Sequence, residues 1–182
     1  MKKLILTFLV ILCAQFAASQ ISRSVYGVQL GEERKSLVKR LTKEKIQFFD
    51  WPDFVGEEGS LSISSDEEFA GVSWLFKTIH FREDKVYYID FIKRTKDENI
   101  ADSLLDYFRM LAENLHTKYP YYVIDTKLEK VDNGANGLMY LCDGKTYITL
   151  VLEHRPLEES VLGLRYEDVE WKNLAPKVID QL

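Results

Sequence analysis

The chain is short of cysteine, proline, histidine and uninterrupted apolar sequence, and each shortage excludes something. Its only cysteines are Cys13 and Cys142. The first falls in an N-terminal segment expected to be removed, so one thiol remains and no intrachain disulfide can form. Stability must then come from a core, and Cys142 reads as a small, half-buried strand residue. The three histidines, His80, His116 and His154, are far apart, and none has the spacing of a metal-binding HExxH helix. No Gly-rich phosphate loop and no GxSxG elbow occur. The longest apolar run, residues 4–12, is too short for a permanent membrane span. Basic residues are outnumbered by acidic ones, 24 to 29, which makes nucleic acid or an anionic membrane a poor partner.

What is present begins with Met1-Lys2-Lys3, the apolar run, and then CAQFAASQ. A basic start, a short apolar core and small residues at the end describe a secretory signal peptide over residues 1–19. Ala17 and Ser19 fit cleavage before Gln20, so the product is expected in the periplasm or outside. A lipid anchor on Cys13 would want a small residue where Leu12 stands. Losing Lys2 and Lys3 takes the formal charge from −5 to −7. The remaining residues, 20–182, suit one domain that buries roughly 70% of its unfolded surface.

Two stretches organise this domain. Residues 73–93, SWLFKTIHFREDKVYYIDFIK, read as a β-hairpin turning at Glu83-Asp84. A two-residue turn sets Phe81 opposite Val86, Ile79 opposite Tyr88, Lys77 opposite Asp90 as an ion pair, and His80 opposite Tyr87. Residues 138–153, LMYLCDGKTYITLVLE, read as a second hairpin turning at Asp143-Gly144. One face carries Leu141, Met139, Ile148, Leu150 and Leu152. The other carries Cys142, Tyr140, Tyr147, Thr149 and Val151. The aliphatic face should be core, while tyrosines tolerate water at their hydroxyls.

Around the hairpins, residues 20–24 read as a loose start. A helix is predicted over residues 32–45 with Leu37, Val38 and Leu41 buried, and a strand over 46–51. Thr95-Lys96-Asp97-Glu98 resembles a capping box, with Asp97 as the alternative cap, and a second helix should run from there to about Lys118. Ile100, Leu104, Phe108, Leu111 and Leu115 recur at helical spacing, so this face should lie on a sheet. Strands are expected at 121–130 and 161–166, a turn at 132–137, and a docked tail containing Trp171. The fold class is therefore α+β, a mainly antiparallel sheet with helices on one face. The element order suggests two diverged helix-plus-sheet repeats, 25–94 and 95–170.

The stretch Val25-Tyr26-Gly27-Val28-Gln29-Leu30-Gly31, followed by a helix with Leu37 and Leu41, resembles the opening of small exported bacterial proteins. These include the SmpA/OmlA (BamE-like) family and folds like the β-lactamase inhibitor protein. The hairpin with Lys85-Val86-Tyr87 after its turn is similar in style. The resemblance implies tandem helix-plus-sheet units with an open sheet surface, acting mostly by binding other proteins.

The chemistry-bearing residues give two readings. Asp132, Asn136 and Asp143 fall at calcium-loop positions, but position three is Gly134, and Asn136-Gly137 and Asp143-Gly144 are turn signals in their own right. No metal or cofactor is therefore expected. The first reading is non-catalytic binding of a protein or peptide by Tyr140, Tyr147 and Thr149, extended by Tyr87 and His80. The second is a small-molecule or glycan binder, or a carboxylate-dependent hydrolase, around Trp51, Trp74 and the acidic segment 53–68. As a plain feature, that segment is a solvated loop.

Overall fold

A computed structural model describes residues 20–51, 59–64, 68–131, 134–154 and 159–172. The expected signal segment, most of the acidic segment, Asp132 and the chain beyond Lys172 lie outside these residues, as does the Trp171 side chain.

The first hairpin pairs β5 (Phe76–Arg82) with β6 (Lys85–Thr95). Its turn is where the sequence places it: Glu83 and Asp84 have φ of 51° and 59°, as a type I′ turn demands. Phe81 lies opposite Val86, but the next pair is His80 with Tyr88. Tyr87 is thus the extra residue of a β-bulge, which slips the rest of β6 by one position. Ile79 meets Ile89, Thr78 meets Asp90 and Lys77 meets Phe91. The expected Lys77–Asp90 pair does not form. Lys77 instead turns into the core and sets its ammonium 5.4 Å from the Tyr26 ring.

The second hairpin pairs β8 (Gly134–Cys142) with β9 (Thr146–His154). Cys142 lies opposite Tyr147 and Leu141 opposite Ile148. The turn therefore centres on Gly144-Lys145, one position later than expected, and Asp143 Oδ1 accepts the Lys145 and Thr146 amides. This moves the pairing by two residues, which keeps every side chain on its expected face. The turn predicted at 132–137 is corrected: Asn136 and Gly137 lie inside β8. A Cβ on Gly137 would sit 2.7 Å from Phe108 Cζ, so this glycine admits an aromatic ring against the sheet.

Helix α1 (Arg34–Lys43) buries Leu37 and Leu41, as its spacing predicts. It is joined to the first hairpin by Gly31 N–H to the Val86 carbonyl and Arg34 N–H to the Asp84 carbonyl, and Arg34 stacks on Phe81. Helix α2 (Glu98–Lys118) buries Leu104, Phe108, Leu111 and Leu115, chiefly against β9 and the last strand, β10 (Ser160–Asp168). Ile100 is the exception. It is 44% exposed and borders a groove beside Trp74 and Leu75 instead of the sheet. The start of the domain is not loose either. Ile21 is buried, its amide donates to Asp143 Oδ2, and Arg23 pairs with Asp168.

The remaining strands are β1 (Ser24–Val25), β2 (Val28–Gln29), β3 (Phe48–Trp51), β4 (Ser60–Ile63), β7 (Val123–Val131) and β10 (Ser160–Asp168), and a short helix α3 (Val169–Lys172) ends the described chain. Strands β1 and β2 form a small ribbon. The other eight form one antiparallel sheet in the order β3-β4-β5-β6-β10-β9-β8-β7. Each half of the chain reads helix then four strands, and the final strands of the halves, β6 and β10, pair at the centre. The side of the sheet under the helices carries Ile79, Phe81, Phe91, Leu164, Leu150 and Met139, all buried. Along β8, β9 and β10 the intervening residues are mostly half-exposed. This is the alternation of a sheet with one packed face.

Candidate functional site

The face turned away from α1 and α2 is built from cross-strand rows. One row runs Ser60, His80, Tyr88, Glu167, Tyr147, Cys142. The next runs Ser62, Thr78, Asp90, Arg165, Thr149, Tyr140. Four of the five residues singled out from sequence, His80, Tyr147, Thr149 and Tyr140, thus fall in two adjacent rows. The fifth, Tyr87, is the bulged residue. Its ring stands edge-on to Tyr88, 4.4 Å between centroids, at the margin of the same surface.

Two aromatic clusters flank a charged centre. At one end the His80 and Tyr88 rings stack at 4.0 Å. At the other, the Tyr140 and Tyr147 centroids are 5.6 Å apart. Between them Arg165 binds Asp90 with two bonds, Nε to Oδ1 at 2.7 Å and an Nη to Oδ2 at 3.0 Å, and its guanidinium covers the Tyr88 ring at 4.4 Å. A two-pronged ion pair that also stacks is the geometry for which arginine is suited and lysine is not. The outer strands extend this surface with Trp51, opposite Ser60, and Phe49, opposite Ser62, 53% and 63% exposed.

Burial sets the protonation of the face. It lowers the His80 pKa to about 4, against the pull of Asp90 and with the push of Arg165. Burial also opposes the charge on Arg165, but the hydrogen bonds and charge of Asp90 outweigh it and hold its pKa above the ordinary value. Tyr147 is pushed up to about 12 by burial and then by its neighbours Tyr140, Cys142 and Glu167; Tyr87 and Tyr88 are raised by burial too. At neutral pH the His80, Tyr87, Tyr88 and Tyr147 side chains are therefore neutral and surround the Arg165–Asp90 ion pair, with the carboxyl of Glu167 in the same row.

No family model, curated protein or solved structure matches this chain.

The residues that sequence reading missed are Tyr88, Asp90 and Arg165. A regular two-residue hairpin puts the first two on the opposite face, because nothing in the sequence marks the bulge at Tyr87, and Arg165 is legible only as part of a strand. The one signal available was an arginine in an otherwise aliphatic strand, Val161-Leu162-Gly163-Leu164-Arg165-Tyr166.

Elsewhere the chemistry is thinner. Trp51 and Trp74 do not converge. Trp51 is on the exposed face with its indole N–H on Ser62 Oγ, whereas Trp74 is buried beside Phe91 and donates to the Phe69 carbonyl. Trp74 borders a groove of about 350 Å³ with Lys93, Arg94 and Ile100, and among the described residues no carboxylate lines it. His154 Nδ1 lies 3.2 Å from Ser160 Oγ and its Nε2 lies 3.5 Å from Asp102. This resembles a hydrolytic triad in composition only, because Ser160 has no exposed surface through which a substrate could reach it. Among the described residues no group of three or more His, Cys, Asp or Glu could hold a metal ion, and no helix is long and apolar enough to cross a membrane.

Proposed function

We propose that this is an exported, non-catalytic binding module that takes a protein or peptide on its exposed sheet face. The observation that carries the reading is the two-row cluster of Tyr140, Tyr147, Thr149, Tyr88 and His80 around the Arg165–Asp90 pair. Tyrosine and arginine in a rigid, half-exposed patch are the residue types that dominate binding energy at protein interfaces. The sheet supplies the rigidity, since its other face is already filled by the helices. A partner would lay apolar or aromatic side chains across the tyrosines and hydrogen-bond to their hydroxyls. The resemblance to small exported binding proteins points the same way.

The test replaces Tyr140 and Tyr147 together with serine. The melting temperature should stay nearly unchanged, because both side chains are half-exposed, while a partner retained by the unaltered protein from a native extract is lost. Capture of the same set by both proteins would sink the proposal. A stability loss of about 3 kcal/mol or more, the scale for buried aromatics, would mean that the tyrosines serve the core instead.

A further inference from the structure

Strand β7 is an outer edge of the eight-stranded sheet, and among the described strands none pairs with its outward side. Such an edge presents bare N–H and C=O groups that another strand can satisfy. Its pairing with β8 is irregular only between Val123 and Asp125 and is regular from there on. The five residues Thr126, Lys127, Leu128, Glu129 and Lys130 are all exposed, Leu128 at 43%.

The sequence of this edge says what fits it. Opposed residues of an antiparallel pair must share a face, so two copies of one strand can meet only about a dyad centred on a residue. A centre at Lys127 sets Asp125 against Glu129 twice, which repels. A centre at Thr126 draws in Ile124, the bulged residue that has no partner in the ladder. A centre at Glu129 sets Leu128 against Lys130. A centre at Leu128 sets Lys127 of each copy against Glu129 of the other, Leu128 against itself and Thr126 against Lys130. Opposite charges across a strand pair attract and apolar pairs gain burial. Within one chain Lys127 lies 3.2 Å from Asp125, but both side chains are well exposed, so little is lost when it re-pairs.

We propose that β7 is a homodimerisation edge, occupied by β7 of a second copy with Leu128 on the dyad. The two sheets then run on as one, with their aromatic faces on the same side. This assignment does not depend on what those faces bind.

Sedimentation equilibrium of the purified protein, taken to about 1 mM where weak association becomes measurable, should show a reversible dimer. Lys127→Glu alone and Glu129→Lys alone should each weaken it by about tenfold or more, since each sets like charges opposite each other twice. The double exchange Lys127→Glu/Glu129→Lys should restore it. An equimolar mixture of the two single variants should form a heterodimer, because one chain then offers only acids and the other only lysines. A protein that stays monomeric throughout, single variants that associate like the unaltered chain, or a mixture that does not pair would overturn the proposal.

Discussion

Single residues set how closely the layers of this protein approach. Gly137 is the clearest case. Its missing Cβ is the space that the Phe108 ring occupies, and three ring carbons would lie within 3 Å of an added methyl. Gly137→Ala should therefore destabilise the protein by about 1–3 kcal/mol, the range for overpacking. A second change, Phe108→Leu, should recover part of that loss by removing the ring. Denaturant titration of the two variants checks both statements. An alanine that is neutral would mean the helix and strand are further apart than described. From sequence, Asn136-Gly137 reads as a turn because that dipeptide is the strongest hairpin signal. The use of a glycine to accept a ring from another element leaves no local trace, since it depends on a residue far along the chain.

At the scale of elements, the two hairpins show what periodicity can and cannot fix. The second was legible in its faces because its turn moved the pairing by two residues, which preserves side-chain parity. The first was legible in its turn but not in its register, because the bulge at Tyr87 moves the pairing by one. Helix α2 was legible from Leu104 to Leu115, where packing repeats every turn, and not at Ile100, where its first turn leaves the sheet. Of the candidate site, the tyrosines of the second hairpin could be placed on one surface from sequence. The Arg165–Asp90 pair could not, because it joins strands from different halves of the chain.

The bulge has a measurable outcome, since it brings His80 against Tyr88, near Asp90 and Arg165. The unfolded chain takes a proton at His80 near pH 6.5, while the folded chain does so only at about pH 4. This contribution to stability is complete above pH 6.5 and is lost as the pH falls toward 4. Melting temperatures across that window should fall more steeply for the unaltered protein than for His80→Gln, whose remaining slope reports the carboxylates. The imidazole resonance that disappears in His80→Gln, if its midpoint lay near 6.5, would show that His80 is not enclosed.

For the whole molecule the decisive contact is the ladder between β6 and β10, which joins the halves through Phe91 with Leu164 and Ile89 with Tyr166. Leu164 is 2% exposed and also faces Leu150, so Leu164→Ala should cost about 2–5 kcal/mol. Because one buried cluster runs through both halves, calorimetry should still record one transition, with equal calorimetric and van't Hoff enthalpies. Two separated transitions would show that the halves melt independently.

The same ladder governs how the chain can reach its shape. Strand β6 ends at Thr95 and β10 begins only at Ser160, near the end of the described chain. While the intervening residues are still being synthesised, β6 waits with a raw inner border, and closing so long a loop is slow. A chain that stops short of β10 would keep that border open on both half-sheets. Early termination should therefore give an aggregating fragment rather than a smaller working protein.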